Sequence, residues 1–385
     1  MSDRIYLDNA ATTWPKPPQV VKEIARYYNE LGVAAGRGTS AIATEVDRTI
    51  DACRHAISKL VNCQSGQVVF AFNGTDALNT ALLGLISEGD EVVTTEIEHN
   101  SVLRPLNELA KSGRIKLAIA SAVDGIVCLD SLTDMIGPAT RICCISHASN
   151  LTGLIQPIQQ LSIICKENDV MLILDAAQSV GHIDVDFDEL GCDVLIGSGH
   201  KGLLGPLGTG FLCLSERAAD VIRPIRLGGT GTKSESIEQP NEMPYRLESG
   251  NLNVGGIFGL LAGINFLNEK GIQSVASHEK ELRSQVINSF TGNEMIVVHG
   301  AETDYRTGVL SFNFHNQQCH TVAAMLDSAF GIQARAGLHC APLAHNSIGS
   351  EPYGGTVRIS PGVFTTSNDI DFFLNAIEKL SSQLV

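Results

Sequence analysis

No apolar run in this 385-residue chain reaches the ~18 residues that a membrane-spanning helix needs. The best candidate, Gly255 to Leu267, is short and is interrupted by Asn265. The opening residues Met1-Ser2-Asp3-Arg4 lack a basic-then-apolar signal pattern, so no export is expected and the cytoplasm is the expected compartment. Basic residues are outnumbered: Lys plus Arg is 27 against 42 Asp plus Glu, a formal charge of -15. A surface that acidic repels phosphate backbones and anionic lipid, so neither nucleic acid nor a membrane is an expected partner. Only 18% of residues are charged while 44% are hydrophobic, which disfavours disorder and coiled coil. The chain has no internal repeat, low-complexity stretch or long linker. None of the 10 cysteines forms a Cys-x-x-Cys pair, and several sit in apolar runs such as Ile142-Cys143-Cys144-Ile145. Reduced thiols acting as small hydrophobes explain most of them, and a zinc site is not expected.

What is present is an alternation of short apolar runs with helix-type stretches. Strands are expected at 68–72, 91–97, 141–146, 171–174, 193–196 and 210–214. Helices are expected at 75–85, 101–111 and 156–167 among them. Strands apolar throughout, alternating with helices, indicate a mostly parallel sheet covered on both faces. Such sheets bind ligands beyond the carboxyl ends of their strands. The rhythm changes near Arg223. Helices at 254–267, 277–290 and 367–383 and strands at 295–299 and 308–314 suggest a smaller α+β unit. The expected division is a large domain over 15–250, with 1–14 and 251–385 forming the small one.

Four polar clusters follow expected strands directly. Asn73-Gly74-Thr75-Asp76 opens a helix, where free N–H groups, the helix dipole and the Thr75 hydroxyl make an anion site. A plain turn with an N-cap explains the same residues. Asp175 closes an apolar strand, a costly place for a carboxylate without a cation such as a protonated pyridine nitrogen. A structural salt bridge is the other reading. Gly197-Ser198-Gly199-His200-Lys201 closes the next strand. Ser198 and His200 can donate to phosphate, and Lys201 is a candidate Schiff-base amine. Glu98-His99-Asn100-Ser101 follows another strand, and His99 could stack on a planar ring or simply satisfy a helix cap. Together, a phosphate cradle, an acid, an amine and an aromatic at one sheet edge are the parts pyridoxal 5′-phosphate needs.

These segments, with Tyr6-Leu7-Asp8-Asn9-Ala10-Ala11-Thr12-Thr13, resemble the class V aminotransferase superfamily, fold type I. Arg335-Ala-Gly-Leu-His339-Cys340-Ala-Pro342 resembles the cysteine desulfurases, nearer the group II branch that includes selenocysteine lyase-like proteins. The likeness covers essentially the whole chain. It implies an α/β fold, with a mostly parallel seven-stranded sheet in the large domain and a smaller α+β domain. It implies that Lys201 holds the cofactor covalently, Asp175 pairs with its ring nitrogen, Gln178 with its phenolic oxygen, and His99 stacks on it. Gly74, Thr75, Ser198 and His200 would hold the phosphate. Asn150 would lie near the substrate and the phenolic oxygen, Arg358 would bind the substrate carboxylate, and the Cys340 thiol would receive sulfur.

Two departures stand out. Asn251 occupies the place of a threonine that, in relatives, reaches the phosphate of the other subunit. Leu338 stands where group II members commonly have histidine. The implied substrates are L-cysteine or L-selenocysteine, in a homodimer with a possible sulfur-acceptor protein. A selenocysteine lyase, a cysteine or cystine C–S lyase and an aminotransferase remain alternatives, as does a cofactor-bearing regulatory protein without turnover. His339, as the neighbour of Cys340 on an extended segment, would point away from it and is not assigned as its base.

Overall fold

The computed structural model describes residues 4–36, 38–63, 67–233 and 235–383. Seven strands form the larger sheet: β1 (Val68–Ala71), β2 (Glu91–Thr95), β3 (Lys116–Ala120), β4 (Thr140–Ser146), β5 (Met171–Asp175), β6 (Val194–Ser198) and β7 (Gly210–Leu214). Their spatial order is β1-β7-β6-β5-β4-β2-β3. Only β7 runs antiparallel, to both β1 and β6. The expected mostly parallel sheet is therefore present. β3 was not expected: it is an edge strand in which Lys116 and Ile119 are exposed and only Ala120 is buried.

The central strands are apolar throughout because both faces are covered. Cys143, Ile145, Leu172, Leu174 and Leu195 face one cluster with Ile50, Ile57, Ile257 and Phe258. Ile142, Cys144, Ile173, Val194 and Ile196 face the other, with Leu78, Leu82, Val102 and Leu106. Helices α1 (Pro18–Arg26) and α2 (Ala41–Leu60) precede the sheet, and α2 serves the first face. Helices α3 (Gly74–Leu85) and α4 (Asn100–Lys111) cover the second face, and α5 (Ile158–Glu167) returns to the first.

Side chains alternate along a strand, so parity assigns the strand ends. Ser146, Asp175 and Ser198 share the parity of Cys144, Ile173 and Ile196. They therefore face the side on which α3 and α4 begin.

A second, antiparallel sheet has the order β8-β9-β11-β10. It comprises β8 (Ile296–Val298), β9 (Leu310–Phe314), β10 (Arg335–Gly337) and β11 (Thr356–Ile359). Leu310, Phe312, Phe314, Val357 and Ile359 pack there against α7 (Ile272–Phe290), α8 (Cys319–Phe330) and α9 (Ser367–Gln383). Helix α6 (Val254–Lys270) follows the division drawn at 250, yet it buries Ile257, Leu260, Ile264 and Leu267 in the core of the larger sheet. Its apolar run is a core helix, and no helix among the described residues is long and apolar enough to cross a membrane.

The start of the described chain pairs with segments near its far end. Ile5–Tyr6 pairs in parallel with Ile332–Gln333, and Asp8 bridges Ser360. His182 Nδ1 meets the Glu279 carboxylate at 2.9 Å and 3.1 Å, tying the loop after β5 to α7. None of the ten cysteines forms a disulfide; eight are buried, while Cys128 and Cys340 are half-buried.

Candidate active site

At the carboxyl edge of β4, β5 and β6 lies a cavity of about 590 Å³. Its wall carries Gly74, Thr75, His99, Asn150, Asp175, Gln178, Ser198, His200, Lys201 and Arg358. Neighbouring parallel strands make this meeting inevitable: Ser146 is the register partner of Asp175, and the turns after β5 and β6 lie side by side.

One end of the cavity is built for an anion. Asn73 caps α3 by accepting the Asp76 N–H at 2.9 Å, which leaves the first N–H groups of the helix unspent. A Cβ on Gly74 would come 3.5 Å from Ser198 Cβ, so the helix start lies against the end of β6. Thr75 Oγ1 is 2.7 Å from Ser101 Oγ, which in turn is 2.8 Å from His99 Nδ1. Ser101 lines the cavity too and was missed in the sequence reading; its position two residues after His99, in a helix first turn, was the available signal. His200 Nδ1 is buried without a partner, while four donors from Thr12, Thr13 and Lys16 hold the His200 carbonyl.

The same cavity also presents an acid, a ring and an amine. Asp175 is buried, and its Oδ1 accepts the Ala177 N–H at 3.0 Å. His99 Nδ1 accepts the Ser101 N–H at 3.0 Å, so a proton on this neutral ring sits on Nε2. Burial pushes His99 down to about 4, against the pull of Asp175 and with the help of Lys201 and Arg335. The ring is therefore neutral, as stacking on an electron-poor heterocycle requires.

Burial also lowers the Lys201 amine below its ordinary value. Asp175 opposes the shift, and Arg358 and Arg335 reinforce it. The turn that carries Lys201 is fixed by close packing: a Cβ on Gly199 would meet Thr209 Oγ1 at 2.2 Å. Gln178 donates from Nε2 to the Ala10 carbonyl at 2.9 Å, leaving Oε1 buried and unpartnered.

Arg358 is 1% exposed, and burial lowers its affinity for a proton, with Asp8 acting in the opposite direction. Nη1 donates to the Asn150 carbonyl at 2.9 Å, Nη2 is paired with Asp8, and Nε is buried without a partner. Asn150 Nδ2 donates to the His339 carbonyl. Arg335 stands opposite Arg358 in the β10–β11 register and lines the same cavity. Its Nη2 reaches Cys340 Sγ at 3.7 Å.

Cys340 itself stands just off the wall, and its carbonyl accepts the Asn100 N–H at 2.7 Å. One expectation fails here. The 339–340 segment is not extended: His339 and Cys340 have φ of 49° and 59°, so both lie in the left-handed region that non-glycine residues rarely occupy. His339 lines the cavity, and its Nε2 lies 3.0 Å from the Thr356 carbonyl. Asn251 lies outside the cavity, in a depression with Phe70, Arg226 and Glu248; its expected contact was with another subunit's phosphate.

The class-V aminotransferase family model matches residues 5–373. The chain belongs to that family. A protein of Methanothermobacter thermautotrophicus named "probable cysteine desulfurase" is 32% identical over 99% of this chain and 96% of its own length. The solved structure of an apo cysteine desulfurase from Thermococcus onnurineus superposes with a TM-score of 0.91 at 31% identity, covering 98% of this chain and 94% of that one. A cysteine desulfurase structure from Escherichia coli, at 24% identity and TM-score 0.88, shares the fold.

Members of this family use pyridoxal 5′-phosphate, and the residues present fit it. A helix start with unspent N–H groups and an unpartnered buried His200 Nδ1 suit a phosphate. A buried carboxylate, a neutral imidazole and an amine of lowered basicity suit the ring and its aldehyde carbon.

Proposed function

We propose that this protein is a cysteine desulfurase that binds pyridoxal 5′-phosphate and converts L-cysteine to L-alanine, with the sulfur passing to Cys340. One observation carries the reading. A single cavity joins the Lys201 amine, the Asp175 carboxylate, the His99 ring and the Arg358 guanidinium, and Arg335 on its wall lies 3.7 Å from the Cys340 thiol just behind. The named relatives point to the same activity.

When bound, the cofactor supplies an electron sink next to the substrate's α carbon, and this makes the β carbon–sulfur bond cleavable. In this reading Gly74, Thr75, Ser198 and His200 hold the phosphate, and Asn251 reaches the phosphate of a second copy. Asp175 keeps the ring nitrogen protonated, His99 covers one face, and Gln178 and Asn150 border the phenolic oxygen. Lys201 anchors the cofactor and, once released, moves the proton at the substrate α carbon. Burial lowers its basicity, which makes it readier to give that proton back. Arg358 holds the substrate carboxylate with the donors not spent on Asn150 and Asp8.

The Cys340 thiolate bonds to the substrate sulfur, the carbon–sulfur bond breaks, and its electron pair stays on carbon, which takes up a proton. Sulfur loses the two electrons that carbon gains, so no external oxidant or reductant is needed. Arg335 Nη2, 3.7 Å from the Cys340 sulfur, is placed to contact that sulfur through the step.

The larger sheet with its helices would form the cofactor-binding domain, and residues near both ends of the chain the domain that carries Arg358 and Cys340. A homodimer is part of the proposal. Leu227 and Ile237 are 73% and 104% exposed on one surface depression beside the 228–232 loop, an apolar pair that a second copy would cover. Sedimentation velocity should give twice the chain mass.

The deciding test is product analysis with L-cysteine and L-selenocysteine. The native protein should release alanine and gain about 32 Da on the peptide containing Cys340, the mass of one sulfur carried as a persulfide. Cys340→Ala should release no alanine from cysteine. Full turnover by Cys340→Ala with pyruvate as product would overturn the assignment.

A further inference from the structure

Behind the cavity wall lies an ionisable group that the reaction above does not use. Glu98 directly precedes His99, is fully buried, and forms no ion pair among the described residues. Three donors converge on its carboxyl group. Thr95 Oγ1 lies 2.6 Å and the Ser146 N–H 3.1 Å from Oε1, and Ser146 Oγ lies 2.7 Å from Oε2. A backbone N–H can only donate, so Oε1 is an acceptor whatever the charge on Glu98. The contact at Oε2 is different, because either oxygen can carry the proton between them.

When Glu98 is ionised, the Ser146 hydroxyl must donate to it. When Glu98 is neutral, its proton lies on Oε2 and points at Ser146 Oγ, and the Ser146 hydroxyl proton is released to turn elsewhere. Ser146 lines the cavity. It is also the register partner of Asp175 on the adjacent parallel strand, so the two side chains leave the sheet on the same face.

We propose that Glu98 is a positioning residue acting through Ser146. Neutral Glu98 turns the Ser146 hydroxyl into the cavity as a donor beside Asp175, and ionised Glu98 withdraws it. The inference rests on the cofactor reading above, because Asp175 is the carboxylate that would hold the ring nitrogen.

Burial raises the Glu98 carboxyl to about 7, against the pull of the Thr95 and Ser146 hydrogen bonds and with a further push from the Asp175 charge. The exchange therefore falls near neutral pH. The groups that face Glu98 are consistent with one proton moving there. Cys143 and Cys144 from β4 are held protonated, each raised in part by Glu98 itself. His99, on the same segment, is neutral. Asp175 on β5 is the remaining charge.

Two measurements test the proposal. Infrared difference spectra of the cofactor-free protein should contain a protonated-carboxyl band that disappears with a midpoint of about 7. The band should be absent from Glu98→Gln and displaced in Ser146→Ala. In the cofactor-loaded protein, visible absorbance should titrate with the same midpoint. That component should be lost in both Glu98→Gln and Ser146→Ala, while the titration belonging to Lys201 remains.

A native infrared spectrum without the band at about pH 5.5 would overturn the proposal. So would an absorbance titration that is the same in native protein and Ser146→Ala, a variant that keeps Glu98 and answers the question even if Glu98→Gln does not fold. A protein that takes up no pyridoxal 5′-phosphate would instead defeat the functional reading, and the infrared arm would still decide the state of Glu98.

Discussion

Replacing Arg358 with lysine isolates the substrate-anchoring step. The native guanidinium already spends one nitrogen on the Asn150 carbonyl at 2.9 Å and a second on Asp8, and its Nε–H has no protein partner. A substrate carboxylate that takes Nε–H and a remaining Nη proton gains a two-pronged, charge-assisted contact. An ammonium keeps the charge but cannot hold Asn150, Asp8 and a carboxylate in one plane. The variant should lose at least one charge-assisted hydrogen bond to the substrate, worth about 1.5–3 kcal/mol. That corresponds to a KM for cysteine raised roughly 10- to 150-fold at one decade per 1.4 kcal/mol. Initial-rate kinetics of alanine release give KM, and the absorbance of the bound cofactor reports whether its site is intact. The cofactor spectrum should be unchanged, because Arg358 lies on β11 and bonds to Asn150 and Asp8, not to the residues assigned to the phosphate. An unchanged KM would refute the reasoning and move the carboxylate to Arg335. Loss of the cofactor would show that Arg358 is a structural clamp for Asp8 and Asn150.

Two further outcomes follow from the same geometry. Borohydride reduction of the loaded protein, followed by peptide mapping, should place the cofactor on Lys201; a label on another lysine would remove Lys201 from its assigned role. Glu98→Gln should change how stability depends on pH. The folded-state carboxyl is raised from 4.5 to about 7, so ionising it destabilises the fold. Its contribution is fully present below the unfolded value and is lost as pH rises through about 7, amounting to about 3 kcal/mol at alkaline pH. Denaturant titrations at acid and alkaline pH should show the native protein losing that much relative to Glu98→Gln, and parallel curves would contradict the assignment.

The cofactor side of the cavity was readable because each of its residues directly follows an apolar strand. Asp175, Lys201, His99 and Gly74 are punctuation at the ends of unambiguous runs, and parallel neighbours bring such ends together. The other features depend on pairings that no local pattern reports. Nothing near Asp8 announces that it will pair with Arg358, 350 positions away. The β3 strand was missed because Lys116 and Ile119 are exposed at a sheet edge and break the apolar signature. The left-handed turn at His339 and Cys340 was missed because neither residue type favours positive φ, and only the surrounding fold holds it there. Glu98 was quoted in a motif but given no role, since its significance lies in the absence of a cation, which only the folded packing reveals.

The pairing of the Asp8 segment with the far strands has a consequence for how the site comes into being during translation. Asp8 and Arg358 are 350 positions apart, so at ~5–20 residues per second one waits for the other on the order of 20–70 s. His99, Asp175 and Lys201 all emerge within that interval, together with every strand of the larger sheet. A growing chain can therefore assemble its cofactor half while the guanidinium that selects the substrate does not yet exist. Asp8 stays uncommitted on the nascent chain until β11 is made. The reactive amine is thus born well before the group that restricts what may reach it, and ribosome-bound chains stalled between residues 214 and 358 would separate these two stages.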